Sequence, residues 1–141
     1  MTLIVDASVA IKWFVEEEAT ALATSLLERA EPLQAPDLLV VEVTNIAWKK
    51  ALRGDIDVVH AQLIAAQTQS PFNGLFPTVE LHERALELAL ELNHPVYDCV
   101  YLACAEQFDD GCVVTADQRL CNAIGESRHA GLVKSLAEMV N

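Results

Sequence analysis

The sequence predicts an α/β domain built on a mostly parallel central sheet of about five short strands. Three observations carry that expectation. Short apolar runs recur along the chain, and helical stretches separate them. The 141 residues, 52% of them hydrophobic, suit a single domain with one core spanning 1–141. Finally, carboxylates follow the first and fourth apolar runs, where parallel sheets present their ligand-binding ends.

Taken in order, residues 2–5 read as a short buried strand. "ASVAIKWF" can start a helix, and 16–30 continue with helical periodicity behind an acidic first turn. Pro32 and Pro36 bracket a short strand at "LQA". Asp37 is placed as the N-cap of a helix that stops at Gly54. Residues 55–70 read as a further helix, 71–74 as a turn and 75–79 as a strand. Residues 80–93 are amphipathic, with Leu81, Ala85, Leu88 and Leu92 on one face and Glu80, Glu83, Arg84, Glu87 and Glu91 on the other. Pro95 suits the first position of a helix running to about Phe108. Gly111 opens the strand "CVVT", a helix follows from about Asp117, and 131–136 form a last strand.

Composition excludes several classes. The longest stretch without a formal charge, 58–79, contains glutamines, prolines and a glycine and cannot span a membrane. No basic segment followed by a long apolar one opens the sequence, so a cytoplasmic protein is expected. Cys99, Cys104, Cys112 and Cys121 form no C-x-x-C pair and read as buried thiols. His60, His82, His94 and His129 lack metal-ligand spacing. The net charge of −12 opposes non-specific nucleic-acid binding and fits a basic protein partner or a site that gathers divalent cations.

Four carboxylates stand out, and each has a plain structural reading. Asp6, or Ser8 beside it, could cap the helix after the first strand. Glu42 heads a helical stripe of Asn45, Lys49 and Arg53, which is either a solvated ion-pair face or a ligand followed by phosphate-tracking groups. Asp98 is the sole formal charge between Pro95 and Ala105. On an apolar face its ionised form would cost several kcal/mol unless a cation compensates. Thr115–Gln118 matches a capping box with Asp117 in the first helical turn. Together, however, the predicted fold can bring all four to one sheet edge. Crowded carboxylates repel, and oxygen-only ligation selects Mg²⁺ or Mn²⁺ over zinc.

"LIVDASVAIKWF", "APDLLVVEVTNIAWK", "HPVYDCVYLACAE" and "VVTADQRL" resemble the four signature segments of PIN-domain ribonucleases. More narrowly, they resemble those of the VapC-like toxins of prokaryotic type II toxin–antitoxin pairs. They occur in the expected order over nearly the whole chain. The family's acidic quartet falls on Asp6, Glu42, Asp98 and Asp117, and its hydroxyl positions on Ser8 and Thr115. The resemblance implies a three-layer α/β/α sandwich, RNA cleavage dependent on one or two Mg²⁺ or Mn²⁺ ions per subunit, a homodimer and inhibition by a cognate VapB-like antitoxin.

The expected reaction is hydrolysis of RNA by an activated water, leaving 5′-phosphate and 3′-hydroxyl ends. Asp6, Asp98 and Asp117 would hold the metal, with Glu42 binding directly or through water, and Ser8, Thr115 and Asn45 standing behind them. Lys12, Lys49, Arg53 and Arg119 are candidate phosphate contacts, each equally readable as ordinary surface charge. Trp13, Phe14 and Trp48 could stack on bases, or pack in the core or a dimer interface. An aspartyl-phosphate phosphatase would want an Asp at position 8, where Ser8 stands, and a receiver domain would want an acidic pair after the first strand. The remaining rival is a catalytically weak binding module that acts through a protein partner.

Overall fold

A computed structural model describes residues 1–139. Five strands form one parallel sheet: β1 (Thr2–Val5), β2 (Leu33–Pro36), β3 (Gly74–Phe76), β4 (Gly111–Thr115) and β5 (Val133–Ser135), in the order β3-β2-β1-β4-β5. Among the described residues the α-helices are α1 (Ala7–Ala10), α2 (Thr20–Ser25), α3 (Leu38–Leu52), α4 (Val58–Gln67), α5 (His82–Leu92), α6 (Val96–Ala105) and α7 (Gln118–Gly125). None is long and apolar enough to cross a membrane.

From β1 the chain steps outward to β2 and β3, then returns past β1 to lay β4 and β5 on the other side. Right-handed crossovers place the helices before and after that reversal on opposite faces, giving the α/β/α sandwich. α3 packs on α4 and α1, α5 packs on α6, and α6 lies across β1, β2 and β4. Leu3, Ile4, Val5, Val113 and Val114 are fully buried, as expected of central strands covered on both faces. Cys99 through Ala105 are all buried, so α6 is enclosed all round after its first turn and has little room for charge there.

Two glycines set the geometry. Gly54 takes φ +81° just past the end of α3, a conformation that a side chain would strain. A Cβ at Gly111 would lie 2.2 Å from the Ala105 carbonyl oxygen, so only glycine lets β4 start this close to the end of α6.

Several elements differ from expectation. The helix expected across 16–30 is interrupted: α1 runs into a 3₁₀ turn at Ile11–Trp13, and Ala19 takes φ +65° before α2. Thr20 Oγ1 holds that break by donating to the Val15 carbonyl and accepting from the Glu17 amide. The 55–70 helix is shorter, because the Asp57 carboxylate caps it at the His60 amide (2.7 Å). The run 75–79 is a three-residue strand followed by a 3₁₀ turn at Thr78–Glu80. Asp37 occupies the N-cap position of α3, but its carboxylate accepts from the Thr78 amide and hydroxyl instead. Pro95 sits one place earlier than expected, as the N-cap residue of α6. Cys99, Cys104 and Cys112 are buried free thiols, whereas Cys121 is half-buried.

Candidate functional site

β1 and β4 are neighbours at the point where the strand order reverses, with Val5 opposite Val114. Crevices in parallel sheets open at that point, outside the carboxyl ends of the strands. Asp6 follows β1 there with extended backbone and caps α1, its Oδ1 accepting from the Val9 amide at 3.3 Å. Ser8 Oγ donates to the same oxygen at 2.6 Å, accepts from the Ala116 amide at 3.0 Å and lies 3.4 Å from Thr115 Oγ1. Thr115 Oγ1 in turn accepts from the Asp117 amide at 3.0 Å. One run of hydrogen bonds therefore links Asp6 to the backbone of Asp117 across two strands. The Asp117 carboxylate caps α7 through the Arg119 amide at 2.9 Å, so it is the cap itself rather than a first-turn residue of a Thr115 box.

Two helices bring the other acids. Asp98, in the first turn of α6, accepts from His94 Nε2 at 2.7 Å. Glu42, one turn into α3, accepts a short hydrogen bond from the Tyr101 hydroxyl of α6. Asp6 is 7% exposed, and burial pushes its carboxyl from 3.8 up to about 6; bonds from Ser8, Thr115 and Val9 oppose the rise, and the Asp98 charge adds to it. Glu42 is raised mainly by burial, with Tyr101 opposing and Asp98 reinforcing. Tyr101 is 2% exposed and pushed well up by burial first, then by Glu42, Asp6 and Asp98. Asp6, Glu42 and Asp98 thus share one field, with the Tyr101 ring among them.

A family model described as "PIN domain" matches residues 3–125 of this sequence. The chain belongs to the PIN domain family. Among curated proteins it is 34% identical to Ribonuclease VapC3 of Pyrobaculum aerophilum over 122 residues, covering 85% of this chain and 92% of that one. Among solved structures it is similar to the crystal structure of PAE2754 from the same organism, with a TM-score of 0.72 at 23% identity, covering 99% of this chain and 86% of that one. The likeness to VapC3 places this PIN domain with the VapC-like ribonucleases.

The donors around the PIN-domain crevice bear on whether they fit a hard divalent cation. They are oxygens from carboxylates and hydroxyls, the set that Mg²⁺ and Mn²⁺ prefer. Among the described residues, no three His, Cys, Asp or Glu side chains are gathered into a ready-made metal cage. The sequence expectation is of acids so crowded that only an ion makes them tolerable; the Asp98 charge does raise both Asp6 and Glu42. Each carboxylate has a donor of its own: Ser8 for Asp6, Tyr101 for Glu42, His94 for Asp98 and the Arg119 amide for Asp117. An open arrangement still fits Mg²⁺, which usually takes one or two carboxylates and completes its shell with water and substrate phosphate. The burial of Asp6 at the strand reversal, with the Asp98 charge adding to it, is the observation that favours a cation.

The remaining predicted residues divide. Asn45 is exposed on α3, beside Glu42. Lys49 and Arg53 are exposed on the same helix, roughly 10 and 16 Å along its axis from Glu42. Arg119 is 91% exposed, with Nε 3.7 Å from Asp117 Oδ1. Lys12 is different: its ammonium donates to Glu17 and to the Glu18 carbonyl, in a bridge shared with Lys50. Trp13 and Phe14 pack against the core, and Trp13 Nε1 donates to the Ala23 carbonyl, while Trp48 is exposed.

The dry carboxylate expected at Asp98 lies elsewhere. The Asp98 side chain is 33% exposed and paired with His94, and the buried acid is Asp6. His94 and Tyr101 are partners of the candidate acids that the sequence did not single out. Both were legible as spacings, four residues before Asp98 and three after it, which on a helix share a face. Pro95 hid the first, because it is the N-cap residue of α6 and leaves His94 outside the helix.

Proposed function

We propose that this PIN domain, taken as a single domain over its full length, is a Mg²⁺- or Mn²⁺-dependent endoribonuclease and the toxin of a type II toxin–antitoxin pair. The observation that carries the reading is the buried Asp6 at the strand reversal, sharing its field with Asp98 and Glu42. The name of the relative, a VapC-type ribonuclease, supports the substrate class.

In this reading Asp6, Asp98 and Asp117 would hold the cation, and Glu42 would reach it directly or through water. When bound there, one or two such ions would supply an acidified water and offset charge on the phosphate oxygens. The chain's own residues supply position. Ser8 fixes the Asp6 oxygen it bonds, Thr115 sets the entry to Asp117, and Tyr101 and His94 hold Glu42 and Asp98. No side chain acts as nucleophile and the RNA 2′-hydroxyl does not react, so products carry 5′-phosphate and 3′-hydroxyl ends. Arg119 is the exposed cation beside the site and the first candidate for a phosphate contact, with Lys49 and Arg53 further along α3. A VapB-like antitoxin with basic residues would complement the net charge of −12. A homodimer and a cytoplasmic location complete the proposal.

A second reading is a PIN-fold binding module. It is favoured by the exposed apolar residues of α3 and α4: Val41, Trp48, Leu52, Val59 and Leu63. One experiment separates the two. Purified, antitoxin-free protein is incubated with RNA and Mg²⁺ or Mn²⁺, and the product ends are analysed. The nuclease reading expects 5′-phosphate ends, loss of cutting with chelator and loss with Asp6→Asn. Absence of cutting under all these conditions supports the binding module, and 2′,3′-cyclic phosphate ends contradict the mechanism.

A further inference from the structure

A cleft of about 320 Å³ opens beside the acidic site, outside the carboxyl ends of β4 and β5. Thr115 and Ala116 form its inner wall, continuous with the Ser8–Thr115 contact, and Glu18, Leu22, Gln118 and Ser135 line the rest. Its size lies at the small end of the range for ligand sites, roughly 300–1,000 Å³, which suits one ring system rather than a stacked pair. Its chemistry argues against an anion. Lys12, the cation in the lining, is engaged by the Glu17 carboxylate at 3.1 Å and the Glu18 carbonyl at 2.8 Å, and the Glu18 side chain is itself acidic. A phosphate would meet a neutralised lysine and a carboxylate. A neutral, hydrogen-bonding ring would meet apolar walls at Leu22 and Leu136 and polar atoms at Glu18, Gln118 and Ser135. The Gln118 amide nitrogen also donates to Asn122 at 3.0 Å and the Ser135 hydroxyl to Glu138 at 3.2 Å, so the Gln118 oxygen and the remaining Ser135 lone pair are the groups left for the ring.

We infer that this cleft is a subsite for one nucleobase of the RNA strand, adjoining the phosphodiester that is cut. The inference rests on the nuclease reading above and adds to it a source of sequence preference. Among the described residues none lining the cleft is aromatic, so the base is read along its hydrogen-bonding edge rather than by stacking. Losing one edge contact costs about three- to ten-fold in relative rate.

The test is a cleavage profile on a pool of short randomised RNAs with Mn²⁺, comparing the natural protein with Gln118→Ala, Ser135→Ala and Ala137→Trp. Ala137 is exposed at the cleft mouth, so the tryptophan obstructs the cleft without entering the core. The expected result is a base preference at one position next to the cut. That preference flattens about three- to ten-fold in the alanine variants and is lost in Ala137→Trp, while the most poorly cut sequences are still cut. If the natural protein cuts but all four profiles coincide, the subsite is refuted and the nuclease reading stands. The subsite is refuted equally if the variants change only inhibition by a protein partner, since the cleft then serves that partner. If the natural protein cuts no RNA, both readings fall together.

Discussion

The Tyr101 hydroxyl donates to Glu42 Oε1, tying α6 to α3 over the crevice where Asp6 is buried. A phenol enclosed to 2% exposure has a single orientation to offer, so it fixes the carboxylate that it bonds. Tyr101→Phe keeps the ring and removes the bond. Loss of a hydrogen bond to a charged group costs about 1.5–3 kcal/mol, so the variant should stay folded with a lowered Tm and cut RNA about 10- to 100-fold more slowly. Thermal melts alongside cleavage rates check this. Full activity with an unchanged melt would show that the contact is idle.

Asp6 makes stability depend on pH. Its folded carboxyl is raised to about 6 from 3.8, so between those values the folded state holds the proton more often than the unfolded chain. Stability from this group is complete below 3.8, falls as pH rises through the window and is absent above about 6. The difference amounts to roughly 3 kcal/mol. In metal-free protein at pH 7, Asp6→Asn should therefore be more stable than the natural chain, and at pH 4 the gap should close. The same variant should lose cleavage by about 100-fold or more, since ion-based stabilisation supplies several kcal/mol of the barrier. Denaturant melts of both proteins at the two pH values give the sign directly.

His94 bonds Asp98 from just outside α6. Partners that hold a ligating carboxylate typically alter metal affinity by about 10- to 100-fold. His94→Ala should raise the Mn²⁺ concentration for half-maximal cutting by about that range, with recovery at saturating Mn²⁺. A metal titration in which only the plateau falls would place His94 elsewhere in the mechanism.

The basic residues should divide by burial. Arg119→Ala should weaken RNA binding and reduce its salt dependence by about one ion, leaving the melt unchanged because the side chain is 91% exposed. Lys12→Ala should lower Tm through the Glu17 bridge and leave the salt slope alone. Filter binding at several salt concentrations distinguishes the two.

The strands and most helices were legible because period and punctuation agree: "LIV" before Asp6, Gly54 after α3 and Gly111 before β4 all sit where the chain turns. The break at Ala19 was not, since an alanine at φ +65° carries no local signal; Thr20 bonds make it. In the crevice, residue types were readable but partners were not. Nothing local in "VYDCVY" tells that Tyr97 is exposed while Tyr101 reaches Glu42, because only the seating of α6 against the sheet decides it.

β1 takes β4, more than a hundred residues away in the chain, as its partner, with Thr2 opposite Gly111. On the ribosome, the first strand can pair early with β2, but its other edge stays open until β4 has emerged. A nascent chain that has not yet made β4 lacks one wall of the crevice beside Asp6, so the acids cannot be brought together before that strand is synthesised.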